Sequence, residues 1–281
     1  MKVTRATSTE PKGLSVSIVV YRPDTALLER TVATLGAACD AWRRAQPDEP
    51  VDVCLVDNGG LGDARALIDS LAAHGVACRV IAGQGNVGYG RGHNLAIVGA
   101  SSCFHLILNP DVDMHAQSLV AARAFFDAHP EVGLLAPCVA DDAGGVQYLC
   151  RRYPTLLDLF VRGFLPAGLR ARFDARLAHY EMRDQINERD VVWNPPIVSG
   201  CFMLFRTDVL GKLGGFDARY FLYFEDYDLS LRTGRISQIA YVPAVRVVHH
   251  GGGASRKGFA HVRMFAASAF RFFNRFGWRL W

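Results

Sequence analysis

The first 140 residues alternate between short apolar runs and longer segments of helical spacing, and this limits the possible folds more than any other feature. VSIVVY (16–21), VDVCLVDN (51–58), CRVIA (78–82), FHLILNPD (104–111) and VGLLAP (132–137) read as strands. Between them, TALLERTVATLGAACDAWRRA (25–45), ARALIDSLAAHG (64–75), GHNLAIVGAS (92–101) and QSLVAARAFFDAHP (117–130) read as helices. Strands that take turns with helices predict an α/β fold, an open and mostly parallel sheet with helices on both faces. In such sheets ligands collect beyond the C-terminal ends of the strands, so residues that end a strand are the first to inspect.

The pattern lapses at residues 150–195, which are rich in Arg and Leu and lack strand runs, and resumes with IVSGCFMLF (197–205) and AYVPAVRVVHH (240–250). The lapse reads as a helical or irregular excursion over the sheet, beside a substrate cleft. Half of the 281 residues are hydrophobic, enough for a sizeable core. No run of 18 apolar residues occurs, so no membrane-spanning helix is expected. The net charge of +4 is too mild to suggest a nucleic-acid partner. Seven scattered cysteines without a C-x-x-C pattern read as free thiols of a reducing cytoplasm, against disulfides or a zinc site.

Several strand-end motifs carry chemistry. VIAGQGNVGYGRGHN (80–94) spells G-x-G-x-x-G at Gly83, Gly85 and Gly88. A dinucleotide fingerprint belongs after the first strand of its unit and wants one acid about 20 residues on. Here the glycines follow the third strand, and the next strand ends in LNPDVDM, with Asp111 and Asp113 one residue apart. Two such carboxylates suit a hard divalent cation bridging phosphates, although Asn-Pro-Asp is also an ordinary turn. VDNGG puts Asp57 and Asn58 at another strand end. GGFDARYFLYFEDYDLSLR (214–232) sets Glu225, Asp226 and Asp228 after a run of aromatics and ahead of a helix. Acids there favour the helix dipole, and Asp228 and Arg232 have the spacing of an i,i+4 ion pair. A carboxylate in a partly apolar cleft is also what a general base needs. VVHHGGGAS ends a late strand with His249 and His250.

In this order the motifs resemble the family-two glycosyltransferases of the GT-A fold, most closely the bacterial rhamnosyltransferase branch, over about residues 15–256. The resemblance implies that the glycine stretch serves a nucleotide-diphosphate sugar. It assigns Tyr21, Asp57, Asn86, Gly88, Asn94, Asp111 and Gly200 to that donor, with Asp57 on the pyrimidine. Asp113, Asp111 and one of His249 and His250 would hold Mg²⁺ or Mn²⁺; the spacing from Pro243 favours His249, and His250 stays open. Asp226 would be the catalytic base, with Glu225 beside it. The implied reaction is inverting transfer of L-rhamnose from dTDP-β-L-rhamnose to a glycan or lipid-linked glycan in cell-surface polysaccharide synthesis. A UDP-sugar-dependent transferase for a hexose or galactofuranose is the alternative. A non-catalytic nucleotide-sugar or glycan-binding protein and a nicotinamide-dependent oxidoreductase are readings of other classes.

The expected organisation is a disordered polar tail (1–14), a GT-A domain (15–256, with 150–195 on the acceptor side) and a C-terminal basic amphipathic helix (257–281). In that helix Phe265, Ala269, Phe272, Phe273, Phe276 and Leu280 share one arc, opposite Arg263, Arg271, Arg275 and Arg279. Such an arc suits an anionic membrane surface, its own domain or a second subunit of a homodimer. A cytoplasmic enzyme, peripheral on the inner face of the cytoplasmic membrane, is the corresponding expectation.

Overall fold

All seven residues of the first strand, β1 (Leu14–Val20), are buried, as a strand covered on both faces requires. Leu14, Val16, Ile18 and Val20 face the main core, while Ser15, Ser17 and Val19 point to the other side. The structure is a computed structural model that describes residues 11–251 and 259–281. Most of the expected polar tail and the end of the 15–256 segment lie outside the described residues.

The chain continues through α1 (Thr25–Ala45), β2 (Val51–Asp57), α2 (Arg65–Ala73), β3 (Ala77–Ile81), α3 (Tyr89–Ile97) and β4 (Phe104–Leu108). Asp24 starts α1 by accepting the N–H of Leu27. Next come β5 (Val112–Met114), α4 (Ser118–Ala128), β6 (Val132–Ala140), α5 (Leu156–Phe164), α6 (Ala167–Arg170), α7 (Asp174–Tyr180) and β7 (Val192–Trp193). The last elements are β8 (Phe202–Arg206), α8 (Thr207–Leu213), α9 (Glu225–Thr233), β9 (Gln238–His249) and α10 (Phe259–Phe276).

The strands form one sheet in the order β3-β2-β1-β4-β8-β6-β9-β5, with β7 also on β9. β1 to β4 are mutually parallel, and β9 runs with β6. β8 enters antiparallel between β4 and β6, and the short β5 and β7 run against β9. The reversal at β8 has a local cause: β8 is reached through the 150–195 excursion, not through a crossover helix that would return the chain in parallel. α1, α2 and α4 cover one face through Trp42, Leu71 and Phe126, and α3 covers the other through Ala96.

Of the surfaces open to the C-terminal helix, most of its arc takes its own domain. Phe272 and Phe273 are fully buried in a cluster with Leu159, Tyr220 and Phe224 of the same chain, with Phe265 and Phe276 packed against it. Part of its basic side is engaged as well: Arg271 donates to the carbonyl of Arg219, and Arg275 bonds Asp217 and Asp228. Burying such aromatics on the domain removes more apolar surface than a shallow interfacial contact would, so the helix is part of the fold. Among the described residues, no helix is long and apolar enough to cross a membrane.

Candidate active site

Beyond the C-terminal ends of β1 and β4 opens a cleft of about 870 Å³. Asn109, Asp111 and Tyr89 line one part of it, Gly200, Glu225 and Asp226 the floor, and Arg151, Arg162 and Arg170 the far side. Sequence reading marked Asp111, Gly200, Glu225 and Asp226 among these, and missed Tyr89 and the arginines.

Glu225 and Asp226 open α9 after two consecutive residues in the left-handed region, Tyr223 (φ 70°) and Phe224 (φ 65°). That conformation is costly for bulky side chains and survives only where surroundings enforce it. Here the carbonyl of Phe221 takes the N–H of Tyr89, and Phe224 packs on Phe265 and Phe272. The result places both acids at a helix N-terminus within the cleft. Asp226 Oδ2 accepts the N–H of Gly200 at 3.0 Å and Oδ1 that of Tyr227 at 2.9 Å. Glu225 is buried and its Oε2 has no partner among the described residues.

Burial first, and then the charge of Asp226, pushes Glu225 up to about 8. Burial also raises Asp226, but the N–H groups of Gly200 and Tyr227 and the charge of Arg151 work against it. The two environments therefore split the pair: at neutral pH Glu225 keeps its proton and Asp226 carries the charge. Asp228, by contrast, is fully buried and held by Arg232 at 2.5 Å and Arg275 at 2.6 Å. It is the ion pair that its spacing predicted, with a second arginine from α10, and it is not free to move protons.

The acids and histidines of the strand ends separate into two pairs. Successive residues of a strand point to opposite faces, so His249 and His250 diverge. His249 Nε2 lies 3.5 Å from Asp111 Oδ1. Gln147 orients this ring. Its amide nitrogen donates to the carbonyl of His249 at 2.8 Å, which leaves Oε1, 3.2 Å from Nδ1, to accept. Nδ1 thus carries the proton and Nε2 presents a lone pair. Asp111 Oδ1 lacks a full hydrogen bond. A Cβ on Gly251 would come within 2.5 Å of both Asp111 Oδ2 and His249 Nε2. An anionic oxygen, an imidazole lone pair and a space that only glycine leaves open fit a divalent cation. Among the described residues no group of three His, Cys, Asp or Glu could hold a metal by itself, so further ligands would be donor phosphates and water.

Asp113 and His250, also expected at the metal, form the other pair. His250 Nε2 is 2.8 Å from Asp113 Oδ2, and its Nδ1 bonds Asp142. Arg30 from α1 also reaches Asp113, at 2.5 Å. Partial burial opposes charging of His250, but the two aspartates prevail and raise it. Without a metal in place, Asp113 is thus paired with Arg30 and with His250. The pair ties the LNPDVDM turn to α1, an attachment completed by Thr31, whose hydroxyl donates to the carbonyl of Pro110 at 3.0 Å.

The donor residues divide in the same way. Tyr21, half exposed, and Asp57 end β1 and β2 on the same edge of the sheet, outside the cleft itself. Asp57 Oδ1 accepts the N–H of Gly59 at 2.7 Å, and its other oxygen is available to a base. Asn86 caps its own loop by accepting the N–H of Gly88 at 3.1 Å. Gly88 and Asn94, like Tyr21 and Asp57, do not line the cleft, and each is engaged with a neighbouring segment. A Cβ on Gly88 (φ 92°) would lie 2.3 Å from the carbonyl of Phe221. Asn94 spends its amide on Phe216, donating at 2.8 Å and accepting at 2.9 Å. Both clamp the 216–221 segment that leads into Glu225. Asn58, buried and donating to the carbonyl of Gly88 at 3.0 Å, is part of that clamp.

Comparison with known proteins agrees with this geometry. No family profile matches the chain. It is 31% identical over 253 residues to the N-acetylglucosaminyl-diphospho-decaprenol L-rhamnosyltransferase of Mycobacterium tuberculosis, covering 84% of this chain and 76% of that protein. It is 27% identical over 219 residues to the rhamnosyltransferase WbbL of Escherichia coli, covering 74% and 78%. The solved mannosyltransferase PcManGT of Pyrobaculum calidifontis, in complex with GDP-Man and Mn²⁺, superposes with a TM-score of 0.58 at 16% identity, covering 94% of this chain and 65% of that one. With a sheet that places its acids where GT-A enzymes work, the chain belongs to the rhamnosyltransferase branch of the GT-A glycosyltransferases.

Proposed function

We propose that the protein transfers L-rhamnose from dTDP-β-L-rhamnose, with inversion, onto a lipid-linked GlcNAc diphosphate acceptor. The observation that carries this reading is the split carboxylate pair on the cleft floor. Asp226, ionised and fixed by two backbone N–H groups, takes the proton of the acceptor hydroxyl as that oxygen attacks the anomeric carbon. Glu225, neutral, adds no second negative charge beside Asp226 on the cleft floor. Tyr21 and Asp57 bind the base and ribose side of the donor from the neighbouring strand ends. Asp111 and His249 hold a divalent cation, Mg²⁺ or Mn²⁺, which when bound supplies charge neutralisation for the departing diphosphate. The rhamnosyltransferase relatives support the sugar, the name of the mycobacterial protein supports the acceptor, and the Mn²⁺ complex of PcManGT supports the metal.

An inner-membrane surface is the natural place to meet such an acceptor. The half-exposed Phe160 and Phe164 of α5 and the exposed Trp281 support contact there, now through a rim and not through the arc of α10. The backbone joins these parts: Leu156 and Leu157 donate to the carbonyls of Arg279 and Leu280.

The test is a donor panel against a GlcNAc-diphospho-polyprenol with Mn²⁺, Mg²⁺ or EDTA, the product linkage being read by NMR. An α-rhamnoside formed only with metal and best from dTDP-rhamnose is expected. Faster transfer from a UDP-hexose, or full activity in EDTA, overturns the donor or the metal assignment respectively.

A further inference from the structure

The far wall of the cleft carries more positive charge than the fold needs. Arg151, Arg162 and Arg183 all approach one carboxylate, Glu181, at 4.0, 3.2 and 2.7 Å. Arg183 has a second partner in Asp174 and does not line the cleft. Arg170 lines the cleft and has no carboxylate within ion-pair distance among the described residues. Of the three cleft-lining guanidiniums, Arg151 and Arg162 thus share Glu181 with Arg183, and Arg170 has no acid partner among the described residues. Arg151 is buried, lies over the Tyr180 ring and donates to the carbonyl of Cys150. Apart from Asp226, whose charge it also feels, its acid is Glu181 at 4.0 Å, and a buried arginine so loosely paired is expensive unless an anion completes it.

The framework around these arginines is rigid. Thr155 and Asp158 form a reciprocal capping box at the start of α5. Arg176 locks it from α7, bonding Asp158 at 2.6 Å and Thr155 at 2.8 Å. Arg162, in the last turn of α5, lines the cleft. Phe164, 51% exposed, stands beside it, so the charge borders an apolar rim.

Resting on the proposed reaction, we infer that Arg162 and Arg170, backed by Arg151, bind the diphosphate of the acceptor and leave its lipid to run out past Phe164. In the proposed reaction the donor diphosphate has its own place, at Asp111 and His249, so the arginines of the same cleft are left for the second diphosphate, that of the acceptor. Guanidiniums suit a diphosphate because their donors pair with two oxygens at once.

The experiment compares two acceptors of equal lipid length, GlcNAc-diphospho-alkyl and the neutral GlcNAc-β-O-alkyl, in wild type, Arg162→Gln, Arg170→Glu and Arg162→Lys. For the diphosphate acceptor, kcat/KM falls at least about tenfold in Arg162→Gln and Arg170→Glu, the worth of one charge-assisted hydrogen bond. Arg162→Lys recovers part of this. The neutral acceptor changes less than about twofold, and dTDP binding is unchanged in every variant. Equal losses with both acceptors assign the arginines to structure and overturn the subsite. So does a wild type that treats the two acceptors alike, although transfer to either would leave the proposed reaction standing. Rhamnosylation of neither acceptor removes that reaction and the subsite with it.

Discussion

Replacing Asp226 and Glu225 one at a time by their amides separates proton transfer from shape. In Asp226→Asn the side chain keeps its size, but its single oxygen can satisfy only one of the N–H groups of Gly200 and Tyr227. The amide nitrogen faces the other donor, a loss of about 1–3 kcal/mol of stability. Removal of the base costs transfer at least about 100-fold, or about 2.7 kcal/mol of transition-state stabilisation. In Glu225→Gln nothing is lost that is used at neutral pH: Glu225 is already protonated, and its Oε2 has no partner. Transfer at pH 7 should change less than about threefold.

The pH dependence gives a second reading of the same pair. Glu225 has a folded pKa of about 8, above its ordinary value of 4.5. Its contribution to stability is fully present below the unfolded pKa and is lost as pH rises through the folded one. Glu225→Gln removes that loss, so the variant should be more stable than wild type at pH 7 by at least about 1 kcal/mol, one pKa unit being about 1.4 kcal/mol. Above pH 8 the wild type gains a second buried charge beside Asp226 and its transfer falls, while Glu225→Gln stays level. Urea melts, dTDP titrations and transfer rates between pH 5 and 9 measure all three. The reasoning fails if Asp226→Asn keeps near-normal transfer, or if Glu225→Gln loses transfer as severely and is destabilised at pH 7.

Asp111→Asn should abolish Mn²⁺-stimulated transfer, whereas Asp113→Asn, already neutralised by Arg30 and His250, should keep it and lose a little stability; the opposite ranking in a Mn²⁺ titration returns the metal to Asp113. Gly88→Ala forces a Cβ to 2.3 Å from the carbonyl of Phe221 at a positive φ, and should cost about 2 kcal/mol or more in urea melts together with most of the transfer activity; unchanged stability would show that the 216–221 segment is not clamped there. His93 and His105 are fully buried and held neutral, both lowered first by burial, His105 to about 3. Stability present above pH 6.5 is therefore lost as pH falls toward 3, by up to about 1.4 kcal/mol per pH unit for each ring. Urea midpoints of Glu225→Gln, where the opposing carboxyl slope is absent, should drop between pH 6.5 and 5, and a flat or rising midpoint contradicts the buried neutral pair.

The sheet was readable because its strands are short, apolar and bounded by turns, a signal written within each segment. The 21 residues of α1 begin and end where the apolar period does. The reversed entry of β8 was not readable, since strand direction depends on how a long connection returns and not on the strand itself. The glycine stretch shows the same limit at a single residue. A glycine says that a Cβ is unwelcome, not what occupies the space, and at Gly88 the occupant is Phe221, 133 residues along the chain, and not a ligand. Asn94 is ambiguous for the same reason: an amide that can hold a nucleotide can equally hold the backbone of Phe216.

The two aspartates of LNPDVDM show what decides between equal candidates. Both are acids at one strand end, and both have a histidine at the end of β9. Their difference lies in what else each has. Asp113 has a full guanidinium from α1 and a histidine biased toward its charged form, so its negative charge is already balanced inside the protein. Asp111 has an imidazole lone pair fixed by Gln147, an oxygen without a full hydrogen bond and a glycine that keeps the space open. Residue type nominates both; only the remaining unbalanced charge points to the one that faces a ligand. The same criterion picks Glu225 and Asp226 over Asp228, whose carboxylate Arg232 and Arg275 satisfy, and it picks Arg170 over the many paired arginines of the surface.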